Sequence, residues 1–120
     1  MLINAVVLST INGCVEDLFN AAYNSFGKGS PFNLETDKSI KNMVLDNFIM
    51  GAYVTATNGG LDRYMVEKFV LAVNDFDHYD NFTKYNFDQL QTLMVDAFIM
   101  GMSYGKADSD VANFAKMMKV

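Results

Sequence analysis

Asp46-Asn47-Phe48-Ile49-Met50-Gly51 returns as Asp96-Ala97-Phe98-Ile99-Met100-Gly101, fifty residues later, with a single difference, Asn47 against Ala97. The likeness runs upstream in hydrophobic character: Ile40 matches Leu90, Met43 matches Leu93, Val44 matches Met94 and Leu45 matches Val95. It also runs downstream across a turn, pairing Leu61 with Val111 and Tyr64 with Phe114. Within each copy the apolar residues recur at three- and four-residue steps, the period of a helix with one buried face. Each copy therefore reads as a helical hairpin, residues 36–70 and 86–120, and two copies are too few for a solenoid. The predicted architecture is an all-α, compact five-helix bundle. Two pseudo-symmetric hairpins close on each other, and an N-terminal central helix fills the remaining groove. Gly51 and Gly101 fall inside helices, where glycine costs about 1 kcal/mol against alanine. The compensation expected is close approach of another backbone, with the two glycines facing each other or the same partner helix.

Around this repeat, punctuation is sparse: one proline, Pro31, and glycines mainly at 27, 29, 59, 60 and 105. The first segment, up to Phe26, carries Val7, Ile11, Val15, Leu18, Ala22 and Phe26 on one stripe, widened by Leu8 and Phe19. It has no basic residue and only Glu16 and Asp17 as acids. Gly27 to Pro31 reads as a helix stop and turn. Thr36 and Asp37 offer an N-cap for a second helix running to about Thr57, with Ile40, Met43, Val44, Phe48, Gly51 and Val54 inward. After Asn58-Gly59-Gly60 a third helix is expected from Leu61 to Val73, burying Leu61, Tyr64, Met65, Phe69 and Val73, with Arg63 and Glu67 on the solvated side. A fourth runs from about Asp88 to Tyr104, with Leu90, Leu93, Met94, Phe98 and Gly101 inward. Asp108, Ser109 and Asp110 cap a fifth carrying Val111, Phe114, Ala115 and Met118, with Lys116 and Lys119 suiting its C-terminal dipole.

At 120 residues, 51% hydrophobic, 19% charged and a formal net charge of −5, the chain has the composition of one globular domain, residues 1–120. The acidic balance speaks against direct nucleic-acid binding or an anionic membrane, both of which need a basic footprint. The lone cysteine, Cys14, has no internal disulfide partner and reads as a small buried hydrophobe. The first fourteen residues lack the basic start of a secretion signal, and no uncharged apolar run reaches membrane-spanning length, so the expected location is cytoplasmic.

The sequence leads us to expect no catalytic residues, no metal ligands and no cofactor. No phosphate-cradling glycine loop, HExxH, CxxC or nucleophile elbow is present, and one histidine, one cysteine and one arginine leave little for a triad or a phosphate clamp. Asp46 and Asp96 occupy equivalent places in the repeat and suggest a carboxylate pair, but helical spacing puts both on a polar edge, where solvated acids are common. Asp75, Asp77, His78 and Asp80 approach a metal-binding pattern. They miss the calcium loop's glycine, where Asn81 stands, and its bidentate glutamate. The methionines, at helical spacing, read mainly as core filler, with those left exposed around the last two helices offering a plastic surface.

Residues 74–87 break the helical pattern and crowd rings among acids. The candidate partner-binding residues are Asp75, Phe76, Asp77, His78, Tyr79, Asp80, Phe82 and Tyr85, aromatic anchors interleaved with charges that steer toward a protein with a basic surface. In its short length, acidity and repeated Phe-Ile-Met-Gly helix, the chain resembles small proteins carried by phages and mobile elements. That resemblance implies an inhibitor of a host defence or nucleic-acid-processing enzyme, acting by occlusion of a basic surface. The expected function is thus a non-enzymatic protein-binding module. The alternatives are a self-assembling homodimer formed through the nearly uncharged first helix, and a small-ligand carrier with its pocket between the hairpins.

Overall fold

The computed structural model describes residues 2–26, 38–74, 87–106 and 109–118, and the only regular secondary structure among them is α-helix. Five helices follow in order: α1 (Leu2–Phe26), α2 (Lys38–Asn58), α3 (Arg63–Val73), α4 (Phe87–Tyr104) and α5 (Asp110–Met118). They pack as a bundle around one core, whose largest fully buried side chains include Phe48, Phe98, Ile11, Ile40, Leu90, Leu93 and Met94. The expected helix stop at Gly27 to Pro31, the Thr36 and Asp37 cap, Asp108 and Lys119 lie outside the described residues.

The most extensive seam joins α2 to α4, the two helices that carry the repeated phrase. A Cβ on Gly51 would overlap the carbonyl oxygen of Phe98 and stand 2.9 Å from its carbonyl carbon. A Cβ on Gly101 would do the same to Phe48, whose carbonyl carbon would stand 2.8 Å away. Each glycine thus receives the backbone of the phenylalanine three residues before the other glycine, so the expected close approach is present and reciprocal. Gly105 continues the seam, with Ala52 Cα 2.7 Å from its would-be Cβ. Real Cβ atoms do not occupy such positions, so at this crossing only hydrogen fits between the helices. The backbone contact offsets the intrinsic cost of glycine in a helix.

The second helix of each hairpin reaches across. α3 makes its extensive contact with α4, α5 packs on α2 and α1, and α1 lies against α4, α2 and α5. Among the described residues, neither α2 with α3 nor α4 with α5 forms a comparable seam. The hairpins are therefore open and interlocked, each closing over the first helix of the other. Rings mark both contacts. Phe69 of α3 meets Phe98 of α4 edge-on at 5.4 Å between centroids, and within the α2–α4 seam Phe48 meets Tyr104 at 5.8 Å.

The inward faces expected for α2 and α4 are buried as read, with Ala52, Val95 and Ala97 added. Three expectations are corrected. On α1, Phe19 is buried but Leu8 is 45% exposed, and on α5 Met118 is exposed. On α3 the buried residues are Val66 and Val70, while Tyr64, Met65 and Val73 face outward and Leu61 and Phe69 are half-buried. The reason lies in the helix start. Gly59 and Gly60 take φ of +82° and +101°, which carry the chain out of α2. Asp62 then caps α3, its side chain accepting the Met65 N–H at 2.8 Å. The helix begins at Arg63 instead of Leu61, and Val66 and Val70, four apart, become its inner line. Asp62→Ala should cost about 1 kcal/mol, read as a lower urea midpoint with an unchanged slope. Ser109 does the same for α5, accepting the Ala112 N–H at 3.0 Å while its hydroxyl donates to the Tyr104 carbonyl.

Candidate functional site

The residues read from sequence as partner-binding, Asp75, Phe76, Asp77, His78, Tyr79, Asp80, Phe82 and Tyr85, lie outside the described residues. Their borders are described: Asn74 closes α3 and Phe87 opens α4. Asn74 is tied down firmly. Its side-chain amide donates to Asn47 Oδ1 at 3.0 Å and to the Val70 carbonyl at 2.8 Å. The Asn47 amide donates back to Asn74 Oδ1 at 2.9 Å and to the Met43 carbonyl at 2.8 Å. Asn47 is 3% exposed, and buried amides of this kind persist because their donors and acceptors are matched. This pair clasps the end of α3 to the middle of α2 and fixes the point from which the acidic, ring-rich segment departs. The sequence signal for it was the one mismatch in the repeated phrase, since the counterpart Ala97 is apolar and fully buried.

The outer side of α3 leads into that segment. Tyr64, Lys68 and Leu71 fall on one line at helical spacing, with Met65 beside them, and Tyr64, Met65, Leu71 and Val73 are 62%, 46%, 44% and 50% exposed. The Lys68 ammonium lies 4.7 Å from the Tyr64 ring centroid, over its face. Tyr64 and Leu71 lie on one side of the helix, and exposed apolar side chains that stand together are candidate contact points.

The two aspartates of the repeat differ in setting. Asp46 is exposed, whereas Asp96 is half-buried and its carboxyl is pushed above its usual pKa by burial, with the Arg63 guanidinium pulling partly the other way. Arg63 pairs with Glu67 at 3.3 Å, on the solvated side expected for both. The two line a groove of about 260 Å³ with Gln91, Thr92 and Val95. A folded-state pKa above the unfolded value means that the native state holds the proton more tightly. Asp96 therefore contributes stability below the unfolded pKa that is lost as pH rises through the folded one. Asp96→Asn should raise the melting temperature at pH 7 and leave it unchanged near pH 3, as read by calorimetry at both values.

A second groove, of about 430 Å³, lies where the α2–α3 turn meets α4, lined by Thr55, Gly59, Gly60, Leu61, Ile99, Met102 and Ser103. Here the Leu61 N–H donates to Met102 Sδ at 3.4 Å. Nothing in the periodic pattern marked Thr55 or Met102 as neighbours. The interior seam between α2 and α4, the place expected for a carried ligand, is filled by Phe48, Phe98 and the glycine contacts.

Cys14 is buried, as a small hydrophobe would be. The neighbouring Cys14 side chain, with smaller contributions from burial and Asp17, holds the Tyr104 phenol above its usual pKa. Among the described residues no group of three His, Cys, Asp or Glu is gathered as a metal site would require, and no helix is long and apolar enough to cross a membrane. No protein-family model, curated protein or solved structure matches this chain.

Proposed function

We propose that this protein works by contact, as a small acidic protein-binding module that docks on a basic surface of another protein. The observation that supports the reading is the set of large apolar side chains that α3 leaves exposed. Tyr64, Met65, Leu71 and Val73 stand in solvent and are continuous in the chain with Asp75, Asp77 and Asp80 and the rings of Phe76, Tyr79, Phe82 and Tyr85. Rings and aliphatic chains supply the desolvated anchors of an interface, while acids in a chain of net charge −5 speed approach to a cationic partner. A nucleic-acid-processing enzyme has such a cationic cleft, and occlusion of it would inhibit the enzyme, the role described above for small phage and mobile-element proteins. The test is capture of partners from the native host on the immobilised protein, with identification by mass spectrometry. The captured species should be lost as salt is raised. Tyr64→Ala with Leu71→Ala should weaken its binding about 30-fold or more. Combined Asp75→Asn, Asp77→Asn and Asp80→Asn should slow its association. Unchanged capture by both variants would remove the reading.

A second reading, self-association through α1, is favoured by one observation. Val6 and Leu8 are 64% and 45% exposed on a helix with no charged residue before Glu16. Light scattering decides it. A dimer mass that reverts to monomer on Val6→Lys supports a twofold α1 interface, and a monomer at all concentrations excludes it.

A further inference from the structure

At the turn between α2 and α3, one hydrogen-bond donor has no acceptor and another has a poor one. Thr55 Oγ1 is buried without a hydrogen-bond partner. The Leu61 N–H is given only a thioether, Met102 Sδ, at 3.4 Å, and sulfur of this kind accepts weakly. Gly60 lies beside both. The point where its Cβ would stand is 3.3 Å from Thr55 Oγ1 and 3.7 Å from Met102 Sδ, so hydroxyl and sulfur border the same small space. Thr55 and Met102 both also line the groove of about 430 Å³, and Met102 is half-buried.

We propose that Met102 is an oxidation site whose sulfoxide the turn is built to receive, the added oxygen accepting from the Thr55 hydroxyl and the Leu61 N–H. The oxidant is a peroxide. A sulfur lone pair attacks its terminal oxygen, the O–O bond breaks, an S–O bond forms, and water leaves, or an alcohol if the peroxide is organic. Sulfur loses two electrons and the peroxide gains them. A methionine sulfoxide reductase returns the thioether. Oxidation of methionine ordinarily disrupts packing, because it places a polar atom among apolar ones. Here the sign is reversed, because a sulfoxide oxygen is a far stronger acceptor than sulfur and two donors already wait for it.

The experiment uses the full chain carrying Met65→Leu, Met117→Leu and Met118→Leu, which removes the three exposed methionines of the described surface. After graded hydrogen peroxide, peptide masses report which methionines carry oxygen, and hydrogen exchange reports the Leu61 amide. Met102 should be oxidised before Met43 and Met94, which are buried. The Leu61 amide should then exchange about tenfold more slowly, the effect of one stronger hydrogen bond, and the reductase should restore the first rate. Thr55→Val keeps the shape, removes the orphan donor and should fold as well as the parent. Its oxidised form should melt below its reduced form, whereas the oxidised parent should melt no lower than the reduced parent. A Met102 that takes no oxygen while Met50 or Met100 does, or oxidised parent and Thr55→Val proteins that respond alike, would overturn the proposal.

Discussion

Gly51→Leu is expected to abolish the folded bundle. Any Cβ at this position would overlap the Phe98 carbonyl oxygen, and that oxygen belongs to the α4 backbone, which cannot swing aside as a flexible side chain can. The two helices must separate, and separation strips contact from the most extensive seam in the protein, where Phe48 and Phe98 are fully buried. Overpacking a tight core by a few atoms costs about 1–3 kcal/mol, and more when backbone must move. Domains of this size are stable by only about 5–15 kcal/mol. Gly51→Ala should therefore cost about 3 kcal/mol or more, measured by urea denaturation, and Gly51→Leu should show no cooperative transition by near-ultraviolet circular dichroism. Gly101→Ala should cost about the same, because its Cβ meets Phe48 in the same way. The double alanine variant should cost less than the sum, since helices already moved apart by one methyl accommodate the second. The control is Gly13→Ala on α1, where a Cβ would meet nothing within 4 Å. There the gain in helix propensity should stabilise the protein by about 0.5–1 kcal/mol. Equal effects at positions 13 and 51 would show that the seam is looser than described.

Asn47→Ala is the second large effect, expected to cost about 2–3 kcal/mol. Asn47 makes a reciprocal pair of hydrogen bonds with Asn74 and a third with the Met43 carbonyl. Truncation leaves Asn74 Oδ1 without the Asn47 donor and its amide with only the Val70 carbonyl, and a part-buried polar group left short of a partner costs about 1–3 kcal/mol. The missing side chain also opens a void under α3. Asn47→Ala combined with Asn74→Ala should recover part of the loss, because removing both partners leaves fewer unmatched groups. A double-mutant cycle in denaturant should return a coupling of about 1–2 kcal/mol. Since Asn74 is the C-cap of α3 and is held by Asn47, the single variant should also loosen the C-terminal turn of α3, seen as faster amide exchange at Val73 and Asn74. Additive effects of the two truncations would show that the amides do not act as a pair.

Local patterns made much of the fold legible. The 3.6-residue period marked all five helices to within a few residues, and the repeated phrase with glycines at fixed places pointed to α2 and α4 as the pair that meet. α3 resisted such reading because Tyr64, Met65, Val66, Phe69, Val70, Leu71 and Val73 are apolar on nearly every side, so periodicity alone offers more than one inner face. The Asp62 cap and its fit on α4 chose between them. The proposed contact surface was legible as composition, acids among rings in residues 75–85, but the exposed apolar side chains of α3 were hidden by the same ambiguity.

Sequence alone determined that this chain is a helical bundle with a duplicated core, because helix period and glycine placement are local properties written into neighbouring residues. Tertiary structure alone decided that α3 crosses to α4 and α5 to α2, that Asn47 meets Asn74, and that Thr55 and Met102 border one groove. Those pairings join residues far apart in the chain. They follow from which surfaces exclude water best when all the helices pack at once, which no single stretch encodes.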